Sequence, residues 1–248
     1  MEGYSIGIAL LLAFWAYIGI VTQLGPGLWW TEPLIAGFVT GVIVGNIPLG
    51  LSIGGSLTLL SLGLWTYGGA TIPDFQTGSI VGTAIGALGG GLPAGLAVAV
   101  PTALLMTQMD VLGRAVTTVF IHGADHYAEE GNERGIVTMH LLGQLPWGLT
   151  RAIPVFLAIW LGAGPINSVI KSSPQWFFNA MQVVGHVLPA LGFALLLTML
   201  PVRRYWPFLL LGFVLFAYLK MPIIGIALIA VVVGFLMNML QSGRESNV

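Results

Sequence analysis

Residues 63–79 read GLWTYGGATIPDFQTGS, a glycine-rich stretch with one proline and a lone carboxylate, Asp74, between two of the most apolar regions of the chain. A clean membrane helix could have run through here, yet the backbone is broken. Irregular backbone at membrane depth persists only where protein or water satisfies its polar groups. The reading therefore turns on what the flanks are. Of 248 residues, 56% are hydrophobic and only 7% charged, where about a quarter is usual in soluble domains, and the mean hydropathy is +0.94. A soluble core of this size needs a charged shell that is missing here, whereas a bilayer accepts apolar side chains on the outside. The chain reads as an all-α integral membrane protein, polytopic, with broken helices and re-entrant hairpins.

Apolar runs long enough to cross a bilayer cover residues 5–22, 33–64, 80–106, 136–161, 175–200 and 222–240. The run 207–219 is too short to cross alone and reads as a half-helix or as the first arm of a broken helix continuing past "KMP". The N-terminal run lacks a basic leader and a small-residue cleavage site, which predicts a retained membrane segment. No internal repeat or low-complexity linker stands out, so residues 1–248 are expected to form a single membrane domain.

Glycine punctuates these runs. Gly37, Gly41 and Gly45 recur at the spacing that lets helix backbones approach closely in lipid. "GGGLP", from Gly89 to Pro93, is different, because three glycines and a proline interrupt a helix in mid-run and suggest a re-entrant hairpin. Charge is equally uneven. Eight of the charged residues fall between Asp110 and Arg151, so this part reads as an aqueous-facing loop or surface helix. Arg203 and Arg204 mark a membrane edge, cytoplasmic by the positive-inside tendency. Lys220 and Arg244 flank the last run on both sides and leave the orientation open.

Several chemistries are excluded. A net charge of -1 offers no basic footprint for nucleic acid, and without cysteine there are no disulfides or thiolate ligands. No phosphate loop, nucleophile elbow or dinucleotide fingerprint occurs in a credible setting, so ATP hydrolysis by this chain is not expected. His122 and His126 stand at i, i+4 beside Asp125 and Glu129, the spacing of a helical zinc site. A distant third ligand is lacking, and an amphipathic, charge-rich helix facing water or another subunit explains the segment better than a metalloenzyme. His140 and His186 lie in apolar runs, either as core histidines or as pathway residues. Neither a metal nor any other cofactor is expected.

Asp74 has two readings. A carboxylate in the bilayer costs on the order of 2.5–3.5 kcal/mol on insertion scales and usually faces a cavity or a partner; at the surface, an aspartate after proline merely caps the next helix. Thr71, Gln76 and Thr77 add hydrogen-bonding groups nearby, and Thr58, Ser61, Trp65, Thr66 and Tyr67 lead up to the turn. Hydroxyls, aromatic faces and a carboxylate are what a sugar site requires, although Trp and Tyr are equally ordinary interfacial anchors. Arg151, near one end of its apolar run, is explained by snorkelling to the headgroups; a role in phosphate binding or in closing a site is the alternative.

Three stretches together carry a resemblance. They are residues 33–74, with "GGSLTLL" and a turn ending in "PD"; "FIHGADHYAEEGNER", with an H-x-A-D core and a G-N downstream; and 183–230, with "PALGFA", "PFLLLGF" and "KMP". In order and spacing they resemble the membrane C subunit (IIC permease component) of the mannose/fructose/sorbose/N-acetylgalactosamine family of bacterial phosphotransferase sugar transporters. The resemblance implies a permease subunit in the bacterial cytoplasmic membrane that binds and translocates a sugar and is no enzyme by itself. It further implies a D membrane subunit as partner, in a trimer of C–D pairs. Phosphoryl groups would arrive through Enzyme I, HPr and the A and B components, and transport would be an elevator motion. Asp74 matches the family's P-D position directly. Thr58 stands where relatives often carry glutamate, and Thr66-Tyr67-Gly68 where some have Asn-Ile-Gly. If these positions touch sugar, the substrate is other than plain mannose or glucose. Phosphorylating a hydroxyl needs positioning, and a carboxylate can orient its proton, which makes Asp74, Thr58, Thr66, Tyr67 and Gln76 the candidate sugar-binding residues. A stand-alone ion-coupled transporter is the alternative, since it would share the broken helices and polar groups near the bilayer midplane.

Overall fold

The computed structural model describes residues 3–62, 64, 71–162 and 174–245, and every regular element among them is helical. Two compact units are distinguished, residues 1–196 and 197–248.

The first unit opens with α1 (Ile6–Leu24), capped by Ser5, whose hydroxyl accepts from the Ile8 amide. Its Leu12, Ala13, Ala16 and Ile20 are buried, while Ile6, Leu10 and Phe14 point outward. An outward face of that kind suits lipid and not water. A short 3₁₀ turn (Trp29–Thr31) leads into α2 (Pro33–Val44), which is followed by α3 (Ile47–Ser61). The 33–64 run is thus not one span. Gly45 ends α2 in the left-handed conformation (φ 80°) and Asn46 caps α3, its side chain accepting from the Leu49 amide. With 12 and 15 residues, α2 and α3 extend only about 18 and 22 Å, short of a hydrocarbon core of roughly 30 Å. They form a hairpin of two short helices.

Small residues form the seam of that hairpin. A Cβ on Gly37 would meet the Gly50 carbonyl oxygen and lie 3.1 Å from the Gly54 Cα, and one on Gly41 would lie 2.8 Å from the Asn46 carbonyl oxygen. The close-packing expectation holds for both. Gly45 differs: a Cβ there would meet nothing within 4 Å, and glycine serves the positive φ of a helix end.

The second hairpin pairs α4 (Phe75–Leu88) with α5 (Gly91–Glu129). The expected break falls at Gly89 and Gly90, where φ values of 155° and 80° are accessible to glycine. Gly78, Gly82 and Gly86 set α4 directly on the α5 backbone. The helix α4 is the buried centre of the unit, with Ile80, Val81, Ala84 and Ile85 fully or almost fully enclosed. At 39 residues, α5 is about 58 Å long and reaches well past a bilayer core. Its far end carries the charged segment, which is therefore helical. After Asn132, which caps α6 (Glu133–Leu142), comes α7 (Gln144–Trp160), so the 136–161 run is also divided, at Gly143. The α7 helix packs along α1, with Gly148 against the Tyr17 ring. In α8 (Gln175–Met199), Gly192 is buried against the α3 backbone at Leu59.

In the second unit, α9 (Val202–Ala217) and α10 (Ile223–Glu245) pack together. Lys220, at φ 49°, and Pro222 separate them, so the short run at 207–219 is the first arm of a broken pair.

Candidate functional site

Asp74 ends the irregular segment and starts α4. Pro73 disfavours helical backbone at Ile72, and Asp74 takes the N-cap position, its Oδ1 accepting from the Thr77 amide at 2.9 Å. Its own N–H donates to the Ala103 carbonyl on α5 at 3.0 Å. The capping reading of Asp74 is therefore realised, at the start of α4. More follows from Oδ2, which accepts from the Thr77 hydroxyl at 2.7 Å and from Arg151 Nε at 2.8 Å.

The snorkelling expectation for Arg151 is overturned. Its side chain is only 4% exposed and lies on the inward stripe of α7 with Gly148, Val155 and Ile159. The physical reason is that two carboxylates wait inside. Arg151 Nη2 donates to Asp110 Oδ1 at 2.5 Å, and Asp110 Oδ2 accepts from Arg114 at 3.1 Å. The guanidinium carbons of Arg151 and Arg114 each lie 5.9 Å from the centre of the Trp147 ring. A charge-balanced chain, Arg114–Asp110–Arg151–Asp74, thus joins the start of α4 to the middle of α5 and to α7. Asp74 is paired, contrary to its isolated look in the sequence.

Gln76, in the first turn of α4, is buried, and its side-chain nitrogen has no protein partner. It lies against Gly19 of α1, where a Cβ would overlap it. Thr58 is half-buried on α3, and its Oγ1 accepts from the Leu34 amide at 2.9 Å. That bond replaces the cap that Glu32 does not give to α2. Ser79 of α4 donates to the neighbouring Pro33 carbonyl at 2.8 Å, so Thr58 and α4 both grip the first turn of α2. The structure brings Asp74 and Gln76 together at one helix start and sets Thr58 on the adjoining hairpin. Thr66 and Tyr67 lie outside the described residues.

A cavity of about 330 Å³ opens among α1, α5, α6 and α7, lined in part by Thr117, Asp125, His140, Gln144 and Trp147. Asp74, Thr58 and Gln76 are not among its lining residues. Trp147 is the link, being a wall of this cavity and the ring beside both arginines. His122 and His126 sit on an exposed face of α5, beside Asp125 and Glu130 at 3.9 and 3.3 Å. Among the described residues no group of three or more acidic or histidine side chains could hold a metal.

Reasoning from the sequence missed Asp110 and the true setting of Arg151. The signal was present as a complementary charge pair: one cation and one anion, each in apolar surroundings and 77 residues apart, and an Asp–Arg pair at i, i+4 on a largely apolar helix.

Comparison with known proteins adds the following. The family described as EII-Sor, PTS system sorbose-specific IIC component, matches residues 6–236. The PTS system sorbose-specific EIIC component of Klebsiella pneumoniae is 31% identical over 207 residues, covering 83% of this chain and 78% of that protein. A solved structure described only as that of a membrane protein superposes with a TM-score of 0.87 at 26% identity, covering 96% of this chain and 97% of the other. The mannose transporter ManYZ, solved with microcin E492, superposes at 0.61 with 26% identity and the same coverage.

Proposed function

The chain belongs to the family of sorbose-type IIC components of the phosphotransferase system, and from that premise we propose how it handles its sugar. A IIC component is the multi-pass membrane permease of such a system, and phosphoryl transfer is carried by the other components. In this chain the sugar is held at the start of α4. Asp74 accepts a sugar hydroxyl, Gln76 supplies an amide, and Thr58, Thr66 and Tyr67 shape preference from the preceding hairpin and turn. The B component phosphorylates the held sugar during uptake. The chain acts as one permease domain in the bacterial cytoplasmic membrane, paired with a D membrane subunit in a trimer of pairs, and carries sugar by an elevator motion. Likeness to the ManYZ mannose transporter supports a paired assembly.

One observation carries the placement. Asp74 is fixed in direction by three hydrogen bonds, yet Oδ1 takes only one of them, and a carboxylate oxygen has two acceptor sites. That leaves a preset acceptor at the end of a broken segment. In the purified complex with the D subunit, Asp74→Asn is expected to weaken sugar binding by about tenfold or more, the worth of a hydrogen bond to a charged group. Asparagine keeps the helix cap. Unchanged affinity would remove Asp74 from the site.

A further inference from the structure

Arg151 divides its three nitrogens among three partners: Nε to Asp74 at 2.8 Å, Nη2 to Asp110 at 2.5 Å and Nη1 to the Thr150 hydroxyl at 3.2 Å. With the Thr77 hydroxyl, it fills both acceptor sites of Asp74 Oδ2. Any ligand hydroxyl is thereby directed to Oδ1. Asp110 in turn holds Arg151 on one side while Arg114 occupies its other oxygen. We propose that Arg151 is a positioning residue for sugar recognition, acting through Asp74, and that Asp110 sets the direction of Arg151. The inference rests on the reading of Asp74 as the sugar's acceptor.

The arrangement needs a planar fork. A lysine ammonium keeps the charge but is a point donor on a flexible stem, unable to hold two carboxylates in fixed directions at once. Arg151→Lys therefore leaves the chain electrically balanced while freeing the Asp74 carboxylate to turn. Asp110→Asn loosens Arg151 from the opposite side and leaves Asp74 chemically untouched.

The test is a double-mutant cycle on the complex with the D subunit, purified and shown monodisperse. Binding is read with radiolabelled mannose, fructose, sorbose and N-acetylgalactosamine, using whichever the wild-type complex binds tightest. Arg151→Lys is expected to raise Kd about tenfold and Asp110→Asn about threefold, losses on the scale of a charged hydrogen bond or less. In the Asp74→Asn background each should add less than about twofold, because residues acting through one group are not additive. A residue that merely supports the fold would lower yield and thermal stability without this coupling. Wild-type affinity in both Arg151→Lys and Asp110→Asn, or full additivity with Asp74→Asn, would overturn the inference while sparing the role of Asp74. If Asp74→Asn alone leaves Kd unchanged, the reading of Asp74 fails and the inference falls with it. Should Arg151→Lys not assemble, Asp110→Asn alone decides by the same criterion.

Discussion

Replacing Arg151 by methionine is expected to destabilise the protein by about 3–5 kcal/mol, the usual effect of removing one partner from a buried ion pair. The side chain is 4% exposed and its partners Asp74 and Asp110 are 12% and 14% exposed, so water cannot replace the lost cation. The two carboxylates do not suffer equally. Asp110 keeps Arg114, whereas Asp74 keeps only the amide and hydroxyl of Thr77. Adding Asp74→Asn to Arg151→Met should therefore recover part of the loss, since it neutralises the charge left without a cation and preserves the cap of α4. Thermal unfolding of the detergent-solubilised complex, followed by loss of the monodisperse peak, reads the order: wild type most stable, the double variant between, Arg151→Met lowest. Equal stability of wild type and Arg151→Met would mean that the pairing does not hold the fold.

Gly37→Ala is the second large loss expected, on backbone rather than charge grounds. The added methyl would meet the Gly50 carbonyl oxygen, with the Ser79 hydroxyl oxygen at 2.7 Å and the Gly54 Cα at 3.1 Å. Two of these neighbours are backbone and cannot turn aside. The hairpin α2–α3 would have to separate, an overpacking effect of about 1–3 kcal/mol, and Ser79 would lose its bond to Pro33. Gly55→Ala, on the facing helix α3, is the control. Its Cβ would find only a Leu34 methyl at 3.8 Å, ordinary contact, so stability should be unchanged or slightly raised because alanine favours helix. Comparable losses from both substitutions would refute close backbone packing as the cause.

Much of the fold was legible because the bilayer constrains it so strongly. The apolar runs mark helices, and "GGGLP" marks the break between α4 and α5. Run length alone misled at 33–64 and 136–161. There short polar breaks divide the apolar runs: at Gly45–Asn46, glycine takes a positive φ and Asn46 caps α3, whereas Gly143 divides its run with no side-chain cap. Gly45 shows the same limit, since its spacing matches Gly37 and Gly41 while its φ of 80° gives it another task.

The site was legible in part. Asp74 stood out as an acid among apolar neighbours, and its place at the head of α4 follows from the proline before it. Its partner could not be read off, because Arg151 is 77 positions away and an arginine at the end of an apolar run looks the same whether it reaches out to headgroups or inward to a carboxylate. Thr58 illustrates a similar ambiguity. Its hydroxyl caps α2 from another helix, so the residue bears on packing as well as on any sugar contact.

In the reading proposed above, this permease passes sugar inward as part of phosphoryl transfer, dependent on its partner components. The most direct measurement is uptake of radiolabelled sugar into membrane vesicles carrying the C and D subunits and loaded with phosphoenolpyruvate, Enzyme I, HPr and the A and B components, with an uncoupler present. The account predicts accumulation of sugar phosphate inside, in proportion to phosphoenolpyruvate consumed, and no accumulation when the D subunit or phosphoenolpyruvate is left out. Accumulation of unmodified sugar by this chain alone, without phosphoenolpyruvate, in parallel vesicles free of uncoupler and energised by a proton or sodium gradient, would contradict it.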